Sequence, residues 1–332
     1  MKTFDSSRNL WGIDMGGTKM EGVILKSAQE PKVIFRDRVP TEADQGYEHI
    51  MNQVNKLVDK MENAARYKPG HMGIGTPGIY VPKLKIIKNC NATALNGQPL
   101  KDDLEKLLGI KLHFANDANC FALAETQLGV VKQKFPDAKI VFGVILGTGV
   151  GGGVVVNGEV LNGRHGIGGE WGHNYLPGYE GELCFCGKTG CNESVLAGPA
   201  LERYYAKQTG VKRSMKDIVA LADAGVDEAA QKTLDRLIEG FALAISVIIN
   251  TLDPDVIVIG GGLGNIDRVY RESVALIIKH VLDNTFEAPV VKPLLGDSAG
   301  VFGAAFLAAA ASADETVTKV ALEVENVVVL PG

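Results

Sequence analysis

The sequence predicts an α/β protein built as two related lobes with a cleft between them. Three observations point there. Glycine turns follow apolar strands at 16–17, 147–153 and 260–262. The first two are strand–turn–strand units, one opening each half of the chain. Between them, short apolar runs of strand length alternate with longer segments of helical periodicity.

Residues 10–15 and 20–26 read as two apolar strands around Gly16-Gly17, and 32–38 as a third. Over 43–66, Ile50, Val54, Leu57, Val58 and Met61 fall at three- and four-residue steps, the pattern of an amphipathic helix. Residues 71–76 form another strand, ending at Pro77-Gly78. A polar, Asn-rich loop at 89–98 closes on the turn pair Asn96-Gly97. A short helix near 100–108 and a strand at 111–115 complete the first half. Residues 117–129 read as helix, and 139–146 and 150–156 as apolar strands joined by Gly147-Thr148-Gly149. Helices follow near 195–208, 215–224 and 227–250, the last almost wholly apolar over 241–249 and so expected to be buried there. A strand at 255–259, a helix near 266–284, a strand near 288–293 and an Ala-rich helix near 300–311 end the ordered pattern. The expected division is a small lobe over 1–116, a large lobe over 117–313 and a Val-rich tail, 314–332, assigned to neither.

With 332 residues, 46% hydrophobic and 22% charged, the chain has an ordinary globular balance and more length than one core usually serves. A net charge of −5 argues against a nucleic-acid binder. No apolar run reaches the ~18 residues of a membrane span, and the polar start, Met1 to Asn9, lacks a signal peptide's apolar segment. A cytoplasmic protein is expected. Three of its five cysteines fall within eight positions, which in a reducing compartment favours metal over disulfide. Cys90 and Cys120 stand alone and read as small buried residues.

The richest stretch runs from Glu170 to Glu193. His173, Cys184, Cys186 and Cys191 make a full tetrahedral zinc set of mixed N and S donors. Two carboxylates, Glu170 and Glu193, flank the set and neither is needed for the metal, which suggests a scaffold that recognises a polar ligand. Gly181–Thr189 fits the P-loop spacing, but no strand precedes it and two cysteines lie inside it, so that reading is rejected. The dinucleotide pattern at Gly147, Gly149 and Gly152 fails because a strand follows where a helix is required, and Gly73, Gly75 and Gly78 fail similarly.

Asp14-Met15-Gly16-Gly17-Thr18-Lys19 reads either as a plain hairpin turn or as a phosphate turn. In the second case glycines admit backbone N–H groups to phosphate oxygens, and Asp14 holds Mg²⁺ through water. Asn116-Asp117 follows a strand and opens a helix, so Asp117 is either an N-cap or a general base facing the cleft.

Taken in order, DMGGTK, GTPG, ANDAN, GTGVGGG, GEWGH, CFCGKTGCNE, the triple glycine at 260–262 and GDSAG at 296–300 resemble the ROK family (repressor, open reading frame, kinase) over residues 10 to about 310. Within it, the Asn89–Leu100 loop and GEWGHN are similar to bacterial fructokinases and mannokinases, and also to N-acetylglucosamine kinases. The resemblance implies a two-lobed, actin-like ATPase fold of ribonuclease H-like lobes that closes on sugar. It implies ATP-dependent transfer of the γ-phosphate to the 6-hydroxyl of a hexose of the fructose, mannose or glucose type. An N-acetylglucosamine or N-acetylmannosamine substrate is the alternative.

Site roles follow from the same resemblance. Asp117 matches the catalytic base. Asp14, Gly16, Gly17, Thr18, Lys19, Gly147, Thr148 and Gly149 match the phosphate and Mg²⁺ turns, and Gly261 and Gly262 the turn beside the adenosine. Glu170, His173 and Glu193 match sugar contacts, with Gly78, Asn91 and Asn116 adding to them. His173, Cys184, Cys186 and Cys191 match a structural Zn²⁺, and a homodimer is implied. Many members carry Arg where Phe302 stands here. The family's repressors carry an N-terminal helix-turn-helix domain; only about ten residues precede the first strand here, so that reading is disfavoured.

Overall fold

Two five-stranded mixed sheets, laid out on the same plan, organise the computed structural model, which describes residues 9–283 and 285–312. In chain order the first half contains β1 (Leu10–Met15), β2 (Lys19–Leu25), β3 (Val33–Pro40), α1 (Tyr47–Ala65), β4 (His71–Thr76), β5 (Ile79–Val81), β6 (Ile86–Lys88), α2 (Leu100–Leu108) and β7 (Lys111–Asn116). The chain continues through α3 (Asp117–Gln127), α4 (Val130–Lys134), β8 (Ile140–Leu146), β9 (Val150–Val156), β10 (Glu159–Val160), α5 (Asn192–Leu196), α6 (Gly198–Thr209) and α7 (Met215–Asp223). It ends with α8 (Glu228–Leu252), β11 (Val256–Gly260), α9 (Asp267–Ile277), β12 (Val290–Val291) and α10 (Ala299–Ser312).

The first sheet runs β3-β2-β1-β4-β7 and the second β10-β9-β8-β11-β12. In each, the three strands at one end pair antiparallel and the rest parallel. The expected pair of related lobes is therefore present, with the two glycine turns at equivalent places, β1–β2 and β8–β9.

Alternation assigns the faces of the first sheet. Ile13, Met15, Met20 and Ile24 point to α1 and join Ile50, Val54, Leu57 and Met61 in one core. Leu10, Val23 and Leu25 point the other way, into a core shared with α3, α10 and Val141, Val155, Val256 and Val258 of the second sheet. Helices α3 and α10 thus form a layer between the two sheets. That position explains why α10 is rich in alanine: a helix apolar all round must be buried all round, and only small side chains admit such close packing. At Gly73 an added Cβ would lie 1.7 Å from the Ala304 carbonyl oxygen, so backbone meets backbone there.

Several expectations change in detail. The cut at 116/117 assigned residues 299–312 to the large lobe, yet α10 packs along β1 and β4 of the first sheet as well as on α3. The run 241–249 in α8 is buried or half-buried as expected except at Val247, which is 52% exposed. Helix α9 stops at Ile277, short of 284, because the chain turns back to α8: Asn250 donates to the His280 carbonyl and accepts from the Leu282 amide. Strand β12 is two residues long, flanked by Pro289 and Pro293, which cannot donate to a ladder. Gly198-Pro199 breaks the helix expected at 195–208 into α5 and α6. The tail 314–332 lies outside the described residues. Among those residues no helix is long and apolar enough to cross a membrane.

Candidate active site

The β1–β2 turn is held by its own backbone and by a third strand. The Gly16 amide donates to the Lys19 carbonyl at 2.9 Å. Thr41, just past β3, donates from its amide to Thr18 at 3.0 Å and from its hydroxyl to the Gly16 carbonyl at 2.6 Å. Gly17, Thr18 and Lys19 are left exposed, and nothing lies within 4 Å of where a Gly17 Cβ would be. Such a turn leaves room for a phosphate to reach backbone donors.

Asp14 ends β1 beneath this turn. An added Cβ at Gly300, in the first turn of α10, would come within 2.7 Å of its Oδ2, so glycine there makes space for the carboxylate. Burial first, then the charges of Asp117 and Glu21, push the Asp14 carboxyl up to about 6, with Lys19 opposing them. A carboxylate surrounded by others, at an open glycine turn, suits a divalent cation held partly through water.

The cap of α3 falls to Asn116 and not to Asp117. Asn116 is the N-cap of α3, its Oδ1 accepting from the Asn119 amide at 2.8 Å. Asp117 is the first helical residue, and its Oδ1 accepts from the next amide, Ala118, at 2.8 Å. Its carboxylate is open to the cleft yet set deep among protein atoms, and burial raises its pKa. The other end of the Asn116 amide donates to Glu170 Oε1 at 2.9 Å. Glu170 is itself raised by burial, with Asp117 and Glu193 adding to the effect against the Asn116 bond.

Glu170 and His173 sit on one short 3-10 turn anchored from below by Trp171, which is fully buried against Phe142 and Phe241 and donates to the Gly151 carbonyl at 2.7 Å. Asn192 bridges back, donating from its side chain to the Trp171 carbonyl and from its amide to Asn174, both at 2.8 Å. Glu193 is thereby fixed beside Glu170. Its Oε2 accepts from the Val150 amide at 3.0 Å. A Cβ on Gly149 would stand 2.7 Å from the same oxygen, so the second glycine turn and the second acid fit together through the missing side chain.

The ligand atoms of His173, Cys184, Cys186 and Cys191 all lie within 4.8 Å of one another. Cys184 Sγ is 3.5 Å from His173 Nδ1, and Cys186 Sγ is 3.6 Å from Cys191 Sγ. Zn–S bonds of ~2.3 Å at tetrahedral angles imply S–S edges of roughly 3.8 Å, so the donor set fits one ion closely. Burial and the neighbouring thiols push Cys191 up to about 12, so without a cation this group stays protonated at neutral pH. His173 turns Nδ1 to the cysteines and leaves Nε2 3.9 Å from Glu170 Oε2. The rejected P-loop is confirmed as loop: no helix opens at Lys188, and Cys184 instead pairs its amide with the Lys188 carbonyl at 2.8 Å.

Asp14 feels the charge of Asp117, and from Asn116, next to Asp117 in the chain, a contact series links Glu170, His173, Cys184, Glu193 and Gly149. It continues to Gly147, whose amide donates to the Gly149 carbonyl, and on to Gly261 and Gly262 after β11. Gly261 has φ 84°, and a Cβ there would lie 2.2 Å from the Leu146 carbonyl oxygen. Beyond it opens a cavity of about 920 Å³ lined by Gly147, Thr148, Glu202, Met215, Gly262 and Leu263, a volume in the range of nucleotide-sized ligands. Gly78 packs against Lys88 and Cys90, which brings the loop of Asn91 to the β4 end of the cleft. Asn91 is exposed. Thr41, Trp171 and Gly300 were not singled out from the sequence as positioning residues. Trp171 and Gly300 lie inside GEWGH and GDSAG, whereas Thr41 has no local signal.

The sequence profile of the ROK family matches residues 10–311. The chain belongs to the ROK family. Among its curated relatives, the N-acetyl-D-glucosamine kinase of Vibrio vulnificus (strain YJ016) is 36% identical over 306 residues, spanning 90% of this chain and 98% of that protein. The enzyme of the same description from Vibrio cholerae is 37% identical over the same shares. Among solved ROK structures, a hexokinase from Thermus thermophilus superposes with a TM-score of 0.81 at 29% identity, over 92% of this chain and 100% of that one. A ROK glucokinase from Streptomyces griseus, solved with glucose and AMPPNP, gives 0.70 at 26% identity, over 91% and 99%. The fold is the actin-like ATPase fold of these kinases, and the chain is a ROK sugar kinase.

Proposed function

We propose that this enzyme transfers the γ-phosphate of ATP to the 6-hydroxyl of N-acetylglucosamine. The observation that carries the choice of sugar is 36–37% identity, over nearly the full length of both chains, to enzymes described as N-acetyl-D-glucosamine kinases. This takes the second of the two substrate readings above in place of fructose, mannose or glucose. The likeness to a ROK hexokinase and glucokinase, at 29% and 26% identity, supports the neutral hexose less strongly.

In this reading the sugar lies over Asn116, with its hydroxyls on Glu170, His173 and Glu193 and on the Gly78 and Asn91 side of the cleft. Asp117 takes the proton of the 6-hydroxyl as the oxygen attacks. Burial raises its pKa, which makes it a stronger base than an exposed carboxylate. The exposed β1–β2 turn and the Gly147–Gly149 turn hold the phosphates in line, and the adenosine occupies the 920 Å³ cavity. Phosphoryl transfer demands mainly positioning and charge stabilisation. Mg²⁺, held through Asp14, would offset the charge of the phosphates. Zn²⁺ on His173, Cys184, Cys186 and Cys191 would fix the loop that carries Glu193 and the orientation of His173, with no open coordination position for water. A homodimer, as in the family, belongs to the same reading and is checked by sedimentation.

The test is a panel of N-acetylglucosamine, N-acetylmannosamine, glucose, mannose and fructose, compared by kcat/KM in an assay of ADP release. N-acetylglucosamine should lead. A higher kcat/KM for any neutral hexose returns the assignment to the first reading.

A further inference from the structure

Phe302 stands where many ROK members carry Arg, and a different arginine comes to it. Arg36 on β3 places its guanidinium 5.7 Å from the centroid of the Phe302 ring and donates to Ser298 Oγ at 2.9 Å, at the start of α10. Its Nε also pairs with Glu21 on β2, and Arg38 pairs with the other oxygen of Glu21 at 3.0 Å.

Strand register explains the cluster. Asp14 on β1 is directly opposite Glu21 on β2, and Glu21 is directly opposite Arg38 on β3, with Arg36 two residues away on the same face. Like charges opposed across a sheet destabilise it. The Glu21 side chain is only 7% exposed, so water screens it poorly. A second carboxylate therefore stands behind Asp14, beneath the turn where the nucleotide phosphates are placed. Of its two partners Arg38 is the more exposed, at 48% against 33% for Arg36, and exposed pairs count for less.

We propose that Arg36 is a positioning residue for the nucleotide: seated on Phe302 and Ser298, it offsets the charge of Glu21 more firmly than the more exposed Arg38 does, so that the β1–β2 turn meets MgATP with less negative charge behind Asp14. The inference rests on the placement of the phosphates at that turn. Arg36 touches neither ATP nor sugar; it acts through Glu21.

The experiment measures the MgATP dissociation constant by calorimetry, alongside the sugar dissociation constant and kcat. Arg36→Ala should weaken MgATP ~10-fold, the scale of one unit charge acting across several ångströms in a partly solvated site, with sugar affinity unchanged. Arg36→Lys, which keeps the charge, should stay within about threefold of the parent, and the double variant Arg36→Ala/Glu21→Gln should recover to the same range. The Arg36→Ala deficit should also shrink as salt shortens the Debye length from ~10 Å at 0.1 M to ~3 Å at 1 M. Parental MgATP affinity in Arg36→Ala, or no recovery in the double variant, overturns the proposal. If Arg36→Ala does not fold, Arg36→Gln takes its place with the same expected loss and the same overturning result. Asp14→Asn separates the two levels. If it leaves MgATP affinity unchanged, the phosphate placement fails and this inference with it. If it weakens binding and Arg36→Ala does not, the inference about Arg36 fails alone.

Discussion

Asn116 does two separable jobs with the two ends of one amide, and replacing it tests the site more sharply than removing the base. Its Oδ1 caps α3 through the Asn119 amide, and its Nδ2 holds Glu170 at 2.9 Å. Asn116→Ala loses both. The cap is worth ~1 kcal/mol, which for a protein of this size lowers Tm by about 1–2 °C. The bond to an ionised acceptor is worth ~1.5–3 kcal/mol, and if Glu170 is a sugar clamp, most of that reappears as a rise of roughly 10- to 100-fold in the sugar dissociation constant. Asn116→Asp separates the two jobs. Aspartate caps as well as asparagine does, so Tm should approach that of the parent at a pH where the new carboxyl and Glu170 share a proton, and fall below it at neutral pH, where the two charges repel. The donor to Glu170 is replaced by a second carboxylate, so sugar affinity should fall at least as far as in Asn116→Ala. That loss should ease as pH drops and the acidic pair shares a proton. Thermal melts and sugar titrations on the three proteins decide it. Parental sugar affinity in Asn116→Asp would refute the link between Asn116, Glu170 and the sugar; an unchanged Tm in Asn116→Ala would refute the cap.

Asp117→Asn should keep sugar binding and lose at least ~10²-fold in turnover, the low end of general-base contributions. Because burial raises the pKa of this carboxyl, the acid limb of the parental kcat profile should lie above the ordinary carboxylate range; equal turnover in the variant removes Asp117 from its role. Elemental analysis of protein purified without chelator should find close to one zinc per chain, and Cys191→Ser should lower both Tm and activity, since a structural metal contributes folding energy directly. Metal-free protein of parental Tm would falsify the ligand assignment. In nucleotide- and Mg²⁺-free protein, Asp14→Asn should raise Tm at pH 8 and do so by less and less as pH falls from about 6 to 3.8, because a folded-state pKa raised to about 6 means the ionised parent carries its penalty above that pH and sheds it on protonation. A Tm gain independent of pH would count against burial of the charge.

What the sequence made legible was chemistry written locally. A glycine turn after an apolar strand is a backbone requirement, and residues 16–17 and 147–149 carry it in three or four letters. The cysteine spacing at 184, 186 and 191 confines, in the same way, the loop that brings these thiols to His173. What was not legible depends on distant partners. Nothing near Thr41 announces that its hydroxyl pins the turn at Gly16. The cap on α3 is Asn116 because of how β7 delivers the chain, a matter of one residue's φ and ψ. The return of α10 to the first sheet joins residues some 290 positions apart, as at Gly12 and Ala305, and periodicity carries no such information. A hexose and its N-acetyl amine differ at one substituent, and pocket shape tells them apart, which a single sequence does not encode in any short pattern.

The middle layer also fixes an order of events at the ribosome. The first sheet is complete once Asn116 has been made, but one of its faces is covered by α10, whose residues 299–312 come last. At ~5–20 residues per second the nascent sheet waits on the order of 10–40 s for that cover. Leu10, Val23 and Leu25 stay bare in the meantime, and the glycine seam at Gly12 and Gly73 offers them no side chains for shelter. Any chain that ends before residue 299 should therefore be a client for chaperones, however intact its glycine turns and cysteine loop.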